Sequence, residues 1–319
     1  MAVSGPSTST HSIRALLAQG ERLGVPRDVL LAKIGIASSL VDDPDGRVSI
    51  DQLASAIEII DREAGDPAFS LHAAESLPPL GELGVLDFVV GHAPSFVRGI
   101  EELSRRFRLV TDMATLSSTT ERSNLRLELE VRTDAPLVER FVTDFTFGAV
   151  LSRGRLLCPD SVRLEALSLR GPREGAHDER MRFFGLVPRY EQRKNELILD
   201  RERAERPTVD ANAPLYGILD RVAEDMLEGL HPVDDLSQQI RFQIKESFTR
   251  GVDPKAATIA KALGMSQRTL QRRLAAHQTT LTTLREEVRK ELALAWLGEP
   301  RLSITEVAYL LGFSRPSAF

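Results

Sequence analysis

Residues 259–274, IAKALGMSQRTLQRRL, decide the fold of the C-terminal part of this chain. Ile259 and Leu263 have the spacing of the buried face of a helix, and Gly264 follows them as a turn residue. Ser266 is a suitable N-cap for a second helix. A helix, a glycine turn and a second helix form the layout of a helix-turn-helix motif.

Both helices of this motif carry further signals. Asp253 is a candidate N-cap of the first helix, and Pro254 suits its first helical position. In the second helix, Leu270 and Leu274 lie four residues apart, so we expect both side chains to anchor the helix to the core.

The other face of the second helix has side chains that can read DNA bases. Arg268, Gln271 and Arg272 fall at positions i, i+3 and i+4. Arginine can bond bidentately to guanine, and glutamine to adenine, in the major groove. Arg273 and Arg289 would then suit phosphates, which fix register and give salt-dependent affinity. Surface helices also carry such residues for solubility alone, and this helix by itself leaves both interpretations open.

A second copy of the pattern favours DNA binding. IAxxLGMS at residues 259–266 recurs 48 residues later as VAxxLGFS at residues 307–314, where Ser303 and Glu306 predict a capping box. Between the copies, residues 281–297 read as a helix of roughly 25 Å. A rigid spacer of this size could hold two recognition helices about one DNA turn, roughly 34 Å, apart.

The distribution of charge agrees with a nucleic-acid partner at the C-terminal end. The whole chain of 319 residues has a formal net charge of −5. From Val233 to Phe319 there are 13 Lys and Arg against 9 Asp and Glu, a net charge of +4, which leaves −9 for the preceding residues.

These runs, with VRKELALAWL at residues 288–297, resemble the DNA-binding domain of AraC-type transcriptional regulators from about Asp235 onward. The resemblance implies two helix-turn-helix units in successive major grooves of promoter DNA, with RNA polymerase as a further candidate partner. Including the helix start and the expected phosphate contacts, the predicted DNA-binding residues are Ser266, Gln267, Arg268, Thr269, Gln271, Arg272, Arg273, Arg289, Arg315 and Ser317.

The chain departs from the family pattern at two places. Gln278 and Leu281 stand where the family usually has glycine and an aromatic residue, so we expect a differently built turn there. The family also continues beyond the position of Phe319, with more of the second recognition helix and a closing helix. We therefore expect either that the native chain continues past Phe319 or that its second reader is incomplete.

The N-terminal part predicts an α+β effector domain over residues 12–232, before an all-α DNA-binding domain over residues 233–319. The first hundred or so residues read as an array of short helices, after a Ser/Thr-rich tail, residues 1–11, that we expect to be disordered. Residues 125–131 alternate apolar and charged side chains, as in a half-buried strand, and predict a mainly antiparallel sheet.

A helix at residues 214–230 carries an apolar stripe that packs either on its own domain or on a partner in a homodimer. Segments such as GELGVLDFVV at residues 81–90 and RFFGLVPRYEQRKNELIL at residues 182–199 resemble the arabinose-binding-like effector domain of regulators similar to those for ornithine and other small metabolites. The resemblance implies a sensor and dimerisation module for an unidentified small molecule. Activator and repressor both remain open.

The histidines, the cysteine and the absence of common catalytic motifs agree with a regulator and exclude few alternatives. No cofactor or metal site is expected, because the six histidines lack ligand spacing, and common hydrolase and nucleotide-binding motifs do not occur. The single cysteine, Cys158, fits a reducing cytoplasm, and no apolar run is long enough to span a membrane. The competing hypothesis is a small-molecule binding protein or enzyme whose C-terminal helices mediate protein contacts.

Overall fold

The computed structural model describes residues 6–78, 80–159, 162–173, 175–230, 235–249, 252–276, 279–297, 303–313 and 315. The chain divides into two compact units, Met1–His231 and Pro232–Phe319. Each unit has its own core of buried apolar side chains.

Short helices form the first part of the N-terminal unit. They are α1 (Thr10–Arg22), α2 (Arg27–Ile34), α3 (Ser38–Asp42), α4 (Ile50–Ala64), α5 (Phe69–Glu75), α6 (Val85–His92) and α7 (Phe96–Arg105), followed by a 3₁₀ turn at Phe107–Leu109. Ser49 caps α4 in a capping box with Gln52, which satisfies two backbone N–H groups at the helix start.

An antiparallel sheet follows, with the strand order β3-β4-β6-β5. Its strands are β3 (Ala114–Thr120), β4 (Asn124–Val131), β5 (Leu164–Ser168) and β6 (Asn195–Asp200). The alternation predicted for residues 125–131 is confirmed, because the four apolar side chains of β4 are buried and the residues between them are not. The α+β class predicted for this part of the chain is also confirmed.

Three more helices pack on the sheet or on neighbouring helices. They are α8 (Pro136–Leu157), α9 (His177–Phe184) and α10 (Arg201–Ala204). Two of them are joined by a buried ion pair, in which Arg180 of α9 donates to Asp144 of α8 through Nε at 2.9 Å and Nη2 at 2.8 Å. A bidentate pair of this kind fixes the direction of both side chains.

The N-terminal residues correct one expectation. Instead of belonging to a disordered tail, Ser7–Ser9 form a strand, β1, that pairs antiparallel with β2 at Arg47–Ser49. The backbone N–H and hydroxyl of Ser7 both donate to the Asp112 carboxylate, at 3.0 and 3.1 Å, and Arg47 donates to the Ser7 carbonyl at 3.0 Å. Distant charged partners therefore order a segment whose composition alone suggests a mobile terminus.

Helix α11 (Ala213–Gly229) is the last element described in the N-terminal unit. Tyr216, Leu219 and Ala223 pack in an apolar cluster with Leu86 and Val89 of α6. On the opposite side of α11, Ile218 is 52% exposed and Val222 is 43% exposed. The predicted apolar stripe is thus divided between two faces, of which only one packs on its own unit.

A buried arginine also attaches α11 to α7. The Arg106 side chain is 0% exposed and donates to Asp220 and Glu224 of α11, each at 2.8 Å, as well as to Glu102 on α7. Arg106 is therefore neither a solvated side chain nor a free anion-binding group, because α11 covers it and supplies two of its counterions.

The C-terminal unit consists of helices α12 (Asp235–Thr249), α13 (Ala256–Ala262), α14 (Gln267–Ala276), α15 (Leu281–Leu297) and α16 (Ile304–Leu310). Leu270 and Leu274 are buried in its core, as predicted, with Ile259 and Val288. The all-α class of this unit is confirmed. In the described part of the chain, no helix is long and apolar enough to cross a membrane.

The first helix of the motif starts later than the sequence suggests. Helix α13 begins at Ala256 with Lys255 at its N-cap, so Asp253 and Pro254 are neither cap nor first helical residue. The Asp253 carboxylate lies 3.7 Å from the Arg285 guanidinium, and Pro254 is buried. The position of the helix start is thus set by contacts with α15 and the core.

Candidate DNA-binding surface and ligand cavity

The repeated sequence pattern builds the same turn twice. At the end of α13, Gly264 donates to the Lys261 carbonyl at 3.1 Å and Met265 to the Ala260 carbonyl at 2.9 Å. At the end of α16, Gly312 and Phe313 make the equivalent bonds at 3.0 Å each. Both glycines have positive φ, +64° and +78°, a region that costs other residues free energy. The sequence repeat is therefore a structural repeat.

Helix α14 follows the first turn with a regular start. The Ser266 hydroxyl accepts from the backbone N–H of Thr269 at 3.1 Å, as an N-cap does. The two hydroxyl groups of Ser266 and Thr269 also lie 2.9 Å apart. Ser266 and Gln267 are exposed and Thr269 is half-buried, so the cap leaves the first turn of α14 accessible from outside the unit.

The outer face of α14 is exposed and cationic. Arg268, Gln271, Arg272 and Arg273 are all exposed, whereas Leu270 and Leu274 on the inner face are at most 2% exposed. Among the residues that the structure describes, none forms an ion pair with these three arginines. The guanidinium groups are therefore available to an external partner, unlike most arginines of the N-terminal unit.

Arg289, which the sequence placed among the phosphate contacts, lies in a different environment. Its side chain is 15% exposed, and Nε donates to the Leu311 carbonyl at 2.9 Å. The guanidinium lies over the rings of Phe313 and Phe248, at 4.7 and 5.4 Å from their centroids. This geometry gives Arg289 a structural role, in which it attaches α15 to the end of α16 and to α12.

The remaining predicted site residues belong to the second copy of the motif. Arg315 is exposed and lies two residues after Phe313, so its position corresponds to that of Gln267 in the first copy. Ser317 lies outside the described residues. The capping box predicted at the start of α16 is confirmed, because the Ser303 hydroxyl accepts from the backbone N–H of Glu306 at 3.2 Å. The backbone N–H and the hydroxyl of Ser303 donate to the Glu306 carboxylate, and these two hydrogen bonds lower the pKa of that carboxyl.

A buried ion pair that the sequence did not predict joins α12 to α15. Arg241 on α12 is 8% exposed and donates to Glu287 on α15 at 2.7 Å, with a further contact to Glu291. These carboxylates are one helical turn apart on α15, so a single guanidinium can engage both. No sequence signal identifies the pair, because its partners are about 50 residues apart.

The N-terminal unit contains a cavity of about 100 Å³. It lies among α1, α6, α7, the 3₁₀ turn and α8, and its walls are mainly apolar. Representative lining side chains are Leu86, Val90, Phe96, Ile100, Phe107 and Phe141. Sequence reasoning predicted an effector domain without locating its site, since the lining residues come from segments far apart in the chain.

Comparison with known proteins identifies the family. Residues 24–208 match the arabinose-binding domain of AraC transcription regulators, an N-terminal domain, and residues 259–319 match a helix-turn-helix domain. The first match alone covers more than half of the chain. The chain therefore belongs to the AraC family: it is a DNA-binding transcriptional regulator with an effector-binding N-terminal domain.

Relatives match along nearly the whole length. The chain is 27% identical to the HTH-type transcriptional regulator VirS of Mycobacterium tuberculosis, over 93% of this chain and 86% of that protein. It is 26% identical to the ornithine utilization regulator of Pseudomonas aeruginosa, over 96% and 89%. The crystal structure of transcriptional regulator CdpR from Pseudomonas aeruginosa aligns with a TM-score of 0.48 and 19% identity, over 97% of this chain and 92% of that chain.

Proposed function

We propose that α14 is the base-reading helix of this regulator and lies in a major groove of promoter DNA. The observation that carries the proposal is the exposed face of Arg268, Gln271 and Arg272, which directly follows the duplicated turn and has no ion-pair partner in the described residues. Arginine and glutamine are the side chains best suited to bidentate bonds with guanine and adenine.

The residues around this face suit the DNA backbone. Ser266, Gln267 and Thr269 lie at the N-terminal turn of α14, where hydroxyl groups and backbone N–H groups commonly contact phosphates. Arg273 is exposed beside the reading face. Arg315 would begin a second reading helix, together with Ser317, in the next major groove. Arg289 is left out of this set because its guanidinium is engaged inside the unit.

The regulator acts as a homodimer in this proposal, with the outer face of α11 as the interface. Ile218 and Val222 are exposed apolar residues one helical turn apart, next to the half-buried Leu215. A second copy of the same helix would cover both side chains in a symmetric contact. Such a regulator would act in the cytoplasm, where RNA polymerase is a candidate partner.

The dimer interface is tested by light scattering after size-exclusion chromatography. We expect Ile218→Lys to shift the protein to the monomer, because a charge at the centre of the contact would be buried without a partner. Val29→Lys introduces the same charge at another exposed valine and should leave the mass unchanged. If both variants had the mass of the dimer, the outer face of α11 would not be the interface.

A ligand in the cavity could act on α11 in this proposal, because the cavity wall and the packing of α11 share side chains. Leu86 and Leu103 line the cavity and also belong to the apolar cluster that contains Ala223 of α11. A ligand that favours one arrangement of these side chains would favour one arrangement of α11. A coupling of about 1 to 3 kcal/mol would change DNA affinity roughly 5- to 150-fold.

Base reading is tested with Arg272→Ala and a matched control, Arg193→Ala, which removes an exposed arginine from the N-terminal unit. On a DNA fragment selected from a random pool, Arg272→Ala should lose about 1 to 3 kcal/mol of binding free energy and accept other bases at one position. Arg193→Ala should bind like the wild type. An equal loss on selected and random DNA would assign Arg272 to the phosphate backbone instead.

A further inference from the structure

The charged groups that face the cavity are neutralised by each other. Asp87 accepts from Arg153 through both carboxylate oxygens, Oδ1 at 2.6 Å and Oδ2 at 2.8 Å, and from the backbone N–H of Gly81 at 2.7 Å. Arg153 uses its remaining terminal nitrogen to donate to the Pro78 carbonyl at 2.7 Å. Both side chains are at most 7% exposed, so neither has a free charge for a ligand.

The third titratable group of the wall is the imidazole of His11. His11 contacts the guanidinium of Arg14, and burial together with that positive charge lowers the pKa of the imidazole below its ordinary value of 6.5. Both effects disfavour the charged form of the ring. A carboxylate or ammonium group of a ligand would enter this cavity without a counterion.

The rest of the wall offers apolar contact and a few hydroxyl groups. The hydroxyl of Thr8 donates to the Val110 carbonyl at 3.0 Å, and that of Thr111 accepts from Met113 at 3.1 Å. Ser12 and Thr146 add hydroxyl groups for which the described residues show no hydrogen-bond partner. A ligand with one neutral polar group could bond to them.

We propose that the cavity binds a small, uncharged and mainly apolar molecule, with at most one neutral hydrogen-bonding group such as a hydroxyl or carbonyl. This ligand class rests on the proposed function, in which occupancy of the cavity controls DNA binding. The volume of about 100 Å³ is smaller than the dry protein cavity of about 150 Å³ that holds benzene, so it limits the ligand to about one aromatic ring or a short hydrocarbon chain. A free amino acid, with both charges, does not match the wall.

The test compares three probes that share one fluorinated ring and carry polar groups of similar size, one neutral, one negative and one positive. They are 4-fluorobenzyl alcohol, 4-fluorobenzoate and 4-fluorobenzylammonium, titrated with the full chain at pH 7.5 and followed by fluorine NMR line width. We expect the alcohol to bind at least about tenfold more tightly than either ion, because a buried unpaired charge is costly. Hexan-1-ol, an uncharged short-chain competitor, should displace 4-fluorobenzyl alcohol from the cavity.

A cavity-filling variant locates the binding. Ala149 lines the cavity and is 6% exposed, so Ala149→Leu should abolish binding of the alcohol. Ala211→Leu adds the same atoms at an exposed loop position and should leave binding unchanged. The wild-type comparison of the three probes stands even if Ala149→Leu fails to fold.

The outcomes separate the ligand class from the proposed function. Equal or tighter binding of either ion, or no binding of the alcohol, would overturn the ligand class. DNA affinity is measured in the same samples by fluorescence anisotropy. If the alcohol binds in the cavity and DNA affinity does not change, the ligand class holds and the proposed coupling between cavity and DNA fails.

Discussion

Arg289→Ala distinguishes a structural arginine from a phosphate-binding one. The substitution removes a hydrogen bond to the Leu311 carbonyl at 2.9 Å and the stacking on Phe313 and Phe248. It also removes an ion pair with Glu286, whose side chain is 53% exposed. We therefore expect the C-terminal unit to lose stability.

The size of this loss follows from the contacts. A hydrogen bond from a charged donor contributes about 1.5 to 3 kcal/mol. Each cation–π contact at a partly exposed site adds about 0.5 to 1 kcal/mol. The ion pair with exposed Glu286 adds close to nothing after solvent screening. Allowing for relaxation, the free energy of unfolding should fall by about 2 to 4 kcal/mol.

The assay uses the only tryptophan of the chain, Trp296, which lies on α15 against the core of the C-terminal unit. Its fluorescence during urea unfolding reports the stability of this unit. Lys290→Ala, at an exposed neighbour on the same helix, should change the unfolding free energy by less than about 0.5 kcal/mol. Arg289→Lys should recover little, because lysine lacks the planar group that stacks.

One result would refute this reasoning. If Arg289→Ala left the urea midpoint unchanged and instead weakened binding to all DNA sequences with a flatter salt dependence, the guanidinium would be contacting phosphate. The contacts to Leu311 and the two phenylalanine rings would then contribute nothing measurable. The arginine would rejoin the DNA-binding set that the sequence predicted.

Two further predictions concern the N-terminal unit. Arg106→Ala removes the buried guanidinium that joins Glu102 to Asp220 and Glu224, but Glu102 keeps Arg98 and Arg105 as partners. The free energy of unfolding should therefore fall by about 1 to 3 kcal/mol in circular-dichroism melts, less than for a buried charge left with no counterion, whereas Arg122→Ala, at an exposed position, should leave it unchanged. The pKa of His11 is lowered in the folded state, so the unfolded chain takes up the proton first, and stability should fall as pH decreases below 6.5. Urea midpoints measured between pH 5 and 7.5 should show a shallower slope for His11→Gln; an unchanged slope would contradict the burial of this ring.

Local patterns in the sequence predicted the elements that depend on local chemistry. The alternation of residues 125–131 corresponds to β4, and the Ser303 and Glu306 pair forms the capping box of α16. Strand β3 was missed, because its sequence, ATLSSTT, is rich in hydroxyl groups and reads as polar. It exists because it pairs along its whole length with β4.

Features that depend on distant partners were not predictable in this way. Ser7 is ordered by Asp112, which lies 105 residues away, and Arg106 is buried by a helix more than 110 residues further along the chain. The role of Arg289 likewise depends on the Leu311 carbonyl of the second turn. For the candidate site, the sequence therefore predicted the exposed face of α14. It also grouped that face with Arg289, whose guanidinium is bonded inside the unit.

The central claim is that the chain reads DNA sequence through α14. The most direct measurement is fluorescence anisotropy of the wild-type protein with a selected DNA fragment and with random DNA, over a series of salt concentrations. We predict that the selected fragment binds at least about a thousandfold more tightly at physiological salt, and that both affinities fall as salt increases. Equal affinity for the two DNAs at every salt concentration would contradict the claim.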